Sequence, residues 1–307
     1  MGILEGKIAI VTGGGRGIGR GHCLEFARQG AKVVVNDFGG SSRGEGTGRA
    51  ADDTVKLITD MGGQAVANYA DVSSLQEAGE LVAQAVETYG GLDILVNNAG
   101  IARDAAVWKM TEDDFDRVMA VHVKGSWTTS HHASKVWRDQ AQKNGKSAGR
   151  IINTTSGAGL FGNFGQTNYA TAKAALVGMT LTLAMELYKY GVTANCISPA
   201  GMTRITTSIP GFPPSFETNE VPEGTYDKMD PGNSGPILAW LASDEADHVT
   251  GQVIHAVYDR IAWMKGWHVE KEIFAGDKKW VAEELGGLMN GHLFGTRSIG
   301  ISTAPTK

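Results

Sequence analysis

The amino-acid sequence predicts an α/β protein, doubly wound, with a mainly parallel seven-stranded sheet and helices on both faces. Short β-branched runs alternate with longer segments of helical period, the pattern of βαβ units whose sheet is covered on both sides. Glycine reaches 42 residues, roughly double its usual share of about 7 per cent, and many of these sit at strand-to-helix junctions without the period of a collagen or solenoid.

Strands are expected at Lys7 to Val11, Lys32 to Asn36, Ala65 to Tyr69, Ile94 to Asn97, Arg150 to Thr154, Thr193 to Ile197 and Gln252 to Val257. Helices are expected between them at Gly17 to Gln29, Ala50 to Met61, Leu75 to Tyr89, Glu112 to Gln140, Asn168 to Tyr190 and Ser234 to Leu241. Two helix starts are marked by capping boxes, Ser74 with Glu77 and Thr111 with Asp114, whose side chains satisfy free helix amides. Two segments fall outside the alternation. Gly39 to Asp53 is a polar, glycine-rich loop after the second strand. Thr206 to Asn233 is rich in Pro, Gly and Ser, with Phe212, Phe216 and Tyr226 spaced through it, and reads as a substrate lid or as a passive surface loop. A tail from about Ala262 holds a helical stretch, Lys278 to Met289, and Trp263, Trp267 and Trp280 suggest that it docks on its own chain or on a neighbouring subunit.

A formal net charge of −5 with scattered basic residues offers no footprint for nucleic acid and no polybasic membrane patch, which leaves a small molecule as the expected partner. No apolar run approaches the eighteen or so residues that a membrane span needs. The opening MGILEGKIAIVTGG lacks a signal-peptide pattern, Gly6 stands where a myristoylation site wants Ser or Thr, and the final PTK is not a peroxisomal address, so a cytoplasmic protein is expected. Cys23 and Cys196 lie far apart in apolar stretches and read as buried thiols. The histidines have no metal-ligand spacing, so no metal is expected.

After the first strand comes Thr12-Gly13-Gly14-Gly15-Arg16-Gly17-Ile18-Gly19, with a helix opening inside it. Glycines in that position permit a tight turn and let backbone amides approach a pyrophosphate at the positive end of the helix. The spacing Gly-x-x-x-Gly-x-Gly then introduces an ordered series: Asp71-Val72 after the third strand, Asn97-Asn98-Ala99-Gly100 after the fourth, Ser156 after the fifth, Tyr169-x-x-x-Lys173, and Ser198-Pro199-Ala200-Gly201 after the sixth. In this series the chain resembles the short-chain dehydrogenase/reductase family from Leu4 to about Val257, which implies a Rossmann-like fold and a nicotinamide cofactor. Residues 1–261 are accordingly expected to form the NAD-binding domain, with 206–233 as its lid loop, and 262–307 a C-terminal extension. The resemblance implies cofactor contacts at Gly13, Arg16, Gly17, Ile18 and Gly19, at Asp71 and Val72 beside the adenine, at Asn98, Ala99 and Gly100 near the adjacent ribose, and at Pro199, Gly201 and Thr203 by the nicotinamide. Asp71 has a plainer reading, as a carboxylate that finishes a strand ahead of the Ser74 cap.

Charge argues the choice of cofactor. The second strand ends Val35-Asn36-Asp37, where a carboxylate accepts hydrogen bonds from ribose hydroxyls and repels a 2′-phosphate, so NAD is expected. Arg16, Arg43 and Arg49 are near enough in sequence to serve a phosphate or to pair with Asp37 and its acidic neighbours.

Tyr169 and Lys173 stand four apart on an expected helix and so share one face. A phenol of ordinary pKa near 10 is a weak base at neutral pH, and an adjacent ammonium together with an oxidised nicotinamide lowers that value. Both residues are expected to contact the cofactor as well. Ser156 ends the fifth strand thirteen residues earlier, with Thr154 and Thr155 as neighbours that also carry a hydroxyl, and the family spacing selects Ser156 to hold the reacting oxygen. Many family members place Asn on the preceding helix, where its backbone carbonyl holds a water; here His122 takes that place, as a fourth catalytic candidate or as a packed histidine.

Longer strings, among them Val33 to Gly40, Ala102-Arg103-Asp104, His122 to Ser126 and Gly162 to Gln166, are similar to the (3R)-hydroxyacyl-CoA dehydrogenase part of peroxisomal multifunctional enzyme type 2 and its bacterial relatives. The resemblance implies hydride transfer between NAD and a secondary alcohol or ketone, a 3-hydroxyacyl-CoA or a steroid alcohol. A 3-oxoacyl reductase using NADPH and a non-catalytic NAD-binding regulator of the same fold stand as alternatives; Asp37 argues against the first, and intact Ser156, Tyr169 and Lys173 against the second. Family relatives commonly pair the helices at Glu112 to Gln140 and Asn168 to Tyr190, which implies a homo-oligomer, dimer or tetramer.

Overall fold

The computed structural model describes residues 2–208, 214–222, 224–266, 269, 271–275, 279 and 282–293. They fall into two units, Met1–Met264 and Lys265–Lys307. Among the described residues of the second unit are one helix, α9 (Ala282–Leu288), and a π-turn at Met289–Leu293. Phe212, Trp267, Trp280 and the first residues of the expected tail helix lie outside the described residues.

In the first unit the strands are β1 (Ile8–Thr12), β2 (Lys32–Asn36), β3 (Gln64–Asn68), β4 (Ile94–Asn97), β5 (Arg150–Thr154), β6 (Thr193–Pro199), β7 (Val253–Val257) and β8 (Arg260–Met264). They form one sheet in the order β3-β2-β1-β4-β5-β6-β7-β8. Every pairing is parallel except β7 with β8, so the sheet has eight strands, one more than the periodicity predicts. The extra strand closes a hairpin through Tyr258 and Asp259, with Tyr258 at a φ of 59°, and carries the sheet to Met264, past the boundary expected at 261.

Alternation along each strand divides the core between the two faces. Ala9, Val11, Val33 and Val35 point to one side, where they meet Leu24 and Phe26 of α1 (Gly17–Arg28), Ile58 of α2 (Ala50–Asp60) and Leu238 and Leu241 of α8 (Gly235–Ala242). Ile8, Ile10, Val34 and Ile151 point to the other, against Leu81 of α3 (Leu75–Tyr89), Trp137 of α5 (Gly125–Asn144) and Ala184 and Leu187 of α7 (Thr167–Leu187). Cys23 and Cys196 are free and buried.

The single helix expected from Glu112 to Gln140 is three pieces: α4 (Glu112–Met119), a π-segment at Ala120–Lys124 and α5. Thr111 and Asp114 make the complete capping box before α4. Ser74 makes half of one, accepting from the Glu77 amide at 3.3 Å while the Glu77 carboxylate turns to the Asp71 amide at 2.9 Å. The described part of the expected lid holds 3₁₀ turns at Thr206–Ser208, Thr218–Glu220 and Pro231–Ser234. Among the described residues one helix, Thr167–Tyr190, is long and apolar enough to cross a membrane, contrary to what the apolar runs of the sequence predict. Its buried residues, Ala172, Lys173, Leu176, Thr180, Ala184 and Leu187, recur at three and four and press one face onto the sheet and its neighbours. Leu181, Met185 and Tyr188 are left exposed on the other face.

Candidate active site

Strand order reverses direction between β1 and β4, and a crevice opens there at the carboxyl ends of the parallel strands. A cleft of about 860 Å³ occupies it. Gly13, Arg16, Gly17, Ile18 and Gly19 line one wall, followed by Asp37, Asp71, Val72, Asn98, Ala99 and Gly100, while Pro199, Gly201 and Thr203 close the far end; Ser156, Tyr169, Lys173 and His122 line it between them. Every residue expected from the resemblance to contact the cofactor or take part in catalysis therefore borders one space.

The glycine-rich loop is held open by contacts that exclude larger side chains. A Cβ on Gly19 would lie 2.0 Å from the Gly13 carbonyl oxygen and 2.6 Å from Asn98 Nδ2. Asn98 Nδ2 donates to the carbonyls of Thr12 (3.0 Å) and Gly13 (3.2 Å), tying β4 to the loop. Beneath it the buried Arg20 guanidinium donates to the Gly15 carbonyl through Nη2 (2.7 Å) and Nε (3.1 Å). The Asp37 carboxylate accepts from the amides of Gly15 (3.0 Å) and Gly39 (2.7 Å), which fixes its charge at the end of β2. Asp71 Oδ1 accepts from the Ser73 amide and hydroxyl at 2.8 and 2.7 Å, and the residue also lines the cleft.

At the cleft floor, β5 and α7 are joined twice. Lys173 Nζ donates to the Thr154 carbonyl at 2.6 Å, and Thr155 Oγ1 donates to the Lys173 carbonyl at 2.7 Å. Thr155 has thus spent its hydroxyl, and the Thr154 hydroxyl is buried, whereas Ser156 opens on the cleft as the N-cap of α6 (Gly157–Phe161), near enough to the Tyr169 phenol to lower its pKa. Lys173 Nζ lies 5.5 Å from the Tyr169 ring centroid.

Burial sets the protonation of this floor. It pushes the Tyr169 phenol up to about 12, with Asp104 adding to the rise and the Ser156 hydroxyl opposing it. Burial brings the Lys173 ammonium down to about 8. Desolvation is the largest influence on both groups, and the Lys173 ammonium is engaged by the Thr154 carbonyl.

His122 sits on the π-segment, edge-on to Tyr169 with ring centroids 5.2 Å apart. Its Nε2 meets the backbone of Ile101, 2.8 Å from the carbonyl and 3.1 Å from the amide. Burial lowers its pKa to about 3, so the ring is neutral, and Nδ1 is buried with no protein partner. The His122 carbonyl accepts from Ser126 Oγ at 2.7 Å. A Cβ on Gly100 would lie 2.4 Å from the imidazole, so this glycine makes room for the ring.

Four neighbours were given no site role from the sequence, although Asp104, Asn163 and Gln166 lie in strings that carry the resemblance. Gln166 Nε2 donates to Asp104 at 2.7 Å and its Oε1 accepts from Asn163 at 2.9 Å, forming a polar wall beside Tyr169. Glu217 comes from the loop expected to be a lid and contacts the glycine-rich loop.

The model of the short chain dehydrogenase family matches residues 7–209. This chain belongs to that family. The short chain dehydrogenase from Mycobacterium avium superimposes with a TM-score of 0.85 at 42% identity, covering 99% of this chain and 100% of that one. Hydroxyacyl-CoA dehydrogenase ChsB1 of Mycobacterium tuberculosis is 37% identical over 95% of this chain and 90% of its own length. Peroxisomal multifunctional enzyme A of Dictyostelium discoideum is 43% identical over 80% of this chain, which spans about half (51%) of that longer protein. As a short chain dehydrogenase the protein is an oxidoreductase that uses a nicotinamide cofactor. The close-packed glycine cradle, Asp37 and the open wall of the cleft fit such a dinucleotide.

The two displaced pKa values have opposite consequences for stability. Between about pH 8 and 10.5 the unfolded chain keeps the Lys173 proton that the folded protein has released, so stability rises with pH across that window, by up to about 1.4 kcal/mol per unit. Tyr169, raised to about 12, contributes stability that is full below pH 10 and is lost between 10 and 12. Urea unfolding from pH 7 to 10 is expected to show the rise in the wild type and to lose it in Lys173→Met; parallel curves for the two proteins would contradict a buried, depressed lysine.

Proposed function

We propose that the protein is an NAD-dependent dehydrogenase that oxidises the secondary alcohol of a 3-hydroxyacyl thioester. The observation that carries the reading is the convergence of Ser156, Tyr169 and Lys173 on the floor of a cleft whose other wall is a dinucleotide cradle. The name of the ChsB1 relative supports the substrate class, as does the polar wall of Asn163 and Gln166 beside Tyr169, which offers amides to a second oxygen on the substrate.

When bound, the nicotinamide supplies a hydride acceptor for the carbinol carbon. The chain's part is to position the substrate and take its proton. Ser156 donates to the reacting oxygen and holds it beside the Tyr169 hydroxyl. Tyr169 receives the alcohol proton in oxidation and returns it in the reverse reaction. The neutral phenol favoured by burial is the form that reduction uses; oxidation requires the phenolate, which the Lys173 ammonium stabilises along with any positive charge brought into the cleft. The neutral His122 ring packs against Tyr169 and limits its orientations.

The NAD preference rests on Asp37, whose charge is anchored by two backbone amides at the ribose end of the site. Of the three arginines near Asp37 in sequence, Arg49 is paired with Asp52 at 2.5 Å and Arg43 with Asp114 at 3.4 Å. Arg16 remains on the cleft wall. We also propose a homo-oligomer, supported by the exposed Leu181 and Met185 on the outer face of α7, Tyr188 just beyond its end and Trp127 on α5.

Tyr169→Phe is expected to keep cofactor affinity and to slow single-turnover hydride transfer by roughly a hundred- to ten-thousand-fold. Near-normal turnover would pass the proton-transfer role to another group. Absorbance at the reduced nicotinamide band, with a panel of hydroxyacyl thioesters and steroid alcohols, should favour NAD over NADP and the thioesters over the steroids. Asp37→Ala should relax the cofactor discrimination, and faster wild-type turnover with NADP would overturn the assignment. Sedimentation at micromolar concentration should give a dimer or tetramer, with a monomer contradicting the proposed assembly.

A further inference from the structure

The first amide of α1 already holds an anion of the protein's own. Gly17 N–H donates to Glu217 Oε2 at 2.6 Å, and the same oxygen lies 3.8 Å from Arg20 Nε. Glu217 comes from the loop between β6 and α8, two hundred residues along the chain, and lines the cleft. Its segment is folded to deliver it there. The Glu217 amide donates to Glu220 at 2.9 Å, a 3₁₀ turn follows at Thr218–Glu220, and Arg20 Nη1 donates to Asn219 Oδ1 at 3.4 Å. The carboxylate is three-quarters or more withdrawn from solvent, with 21% of its side chain exposed.

A short, charge-assisted hydrogen bond from a helix-opening amide is the interaction by which such loops bind the pyrophosphate of a dinucleotide. Two anions cannot share one N–H, and like charges packed at that distance in a half-buried cleft repel. We propose that Glu217 is a built-in competitor for the pyrophosphate position: it caps the nucleotide loop of the free protein and must be displaced, with its turn, before the cofactor seats. The proposal rests on reading the cleft as a nucleotide site. It gives the lid segment a specific part, coupling entry of the cofactor to movement of the 214–222 stretch. Burial raises the Glu217 carboxyl, with Arg20 and the Gly17 amide opposing that rise, so the group is held where its charge is costly unless those partners stay in place. Displacement exchanges one anion for another over the same donor and leaves Arg20 in its bonds to the Gly15 carbonyl.

Titration calorimetry on the full chain tests this with ADP-ribose, which carries the pyrophosphate, and adenosine, which does not. Glu217→Ala is expected to tighten ADP-ribose by about tenfold or more, the scale of a lost charge-assisted competitor, with adenosine unchanged within about twofold. Glu217→Gln keeps the shape and removes the charge, so its affinity for ADP-ribose is expected to lie between the wild type and the alanine variant. An ADP-ribose affinity that is unchanged or weakened in both variants overturns the competition, as does equal tightening of adenosine. Absence of ADP-ribose binding in the wild type and both variants would overturn the nucleotide reading and the proposal with it, a result separable from unchanged affinity across the three proteins.

Discussion

The active-site floor depends on a reciprocal tie between the end of β5, with the residue that follows it, and the second turn of α7, which starts thirteen residues after the strand ends. Lys173 reaches down to the Thr154 carbonyl while Thr155 reaches up to the Lys173 carbonyl. The parallel sheet ends here, so the Thr154 carbonyl would otherwise be a buried acceptor without a full complement of donors. Supplying that donor from a lysine costs desolvation, visible in the depressed ammonium, and the cost is tolerated because the same bond orients α7. One turn away on the same face, Tyr169 is then obliged to sit over Ser156.

A buried polar pillar extends the tie into the body of the fold. Asn97 on β4 donates to Asn153 on β5 at 2.8 Å and accepts from Thr129 on α5 at 2.7 Å, while Asn153 donates to Thr180 on α7 at 2.9 Å. Each of these groups is buried, and each finds a partner, so the network acts as a set of locating pins between two strands and two helices. Apolar packing on the same face, from Trp137 to Leu187, fixes distance; the pins fix register.

Much of this was legible in the sequence because it is local. Strands buried on both faces announce themselves as apolar runs, and the motifs fall at strand ends in chain order. The eighth strand was missed because its hairpin turn is Tyr258-Asp259, with neither the glycine nor the asparagine that marks most turns of positive φ. Its alternation of Ile261 and Trp263 was the available signal. Glu217 was invisible for a different reason: a carboxylate in a long polar loop has no pattern, and only the three-dimensional return of that loop to α1 gives it a partner. The upward pull of burial on Tyr169 was not legible because charge can be counted along a sequence, whereas desolvation belongs to the assembled site.

The π-segment at Ala120–Lys124 has a consequence beyond placing His122. A π-turn takes in one residue more than an α-turn, so α5 emerges rotated by about 100° from the face that a continuous helix would present. That rotation is what points Thr129 and Ser130 at Asn97. The segment is therefore a phase adjustment between two helices that serve different masters: α4 packs near α7 at the mouth of the site, and α5 packs against α3 and the sheet beneath it. Sequence alignments that move a gap through these five residues would shift every later α5 position to the wrong face, and a homologue lacking the extra residue would have to rebuild the polar pillar from other side chains.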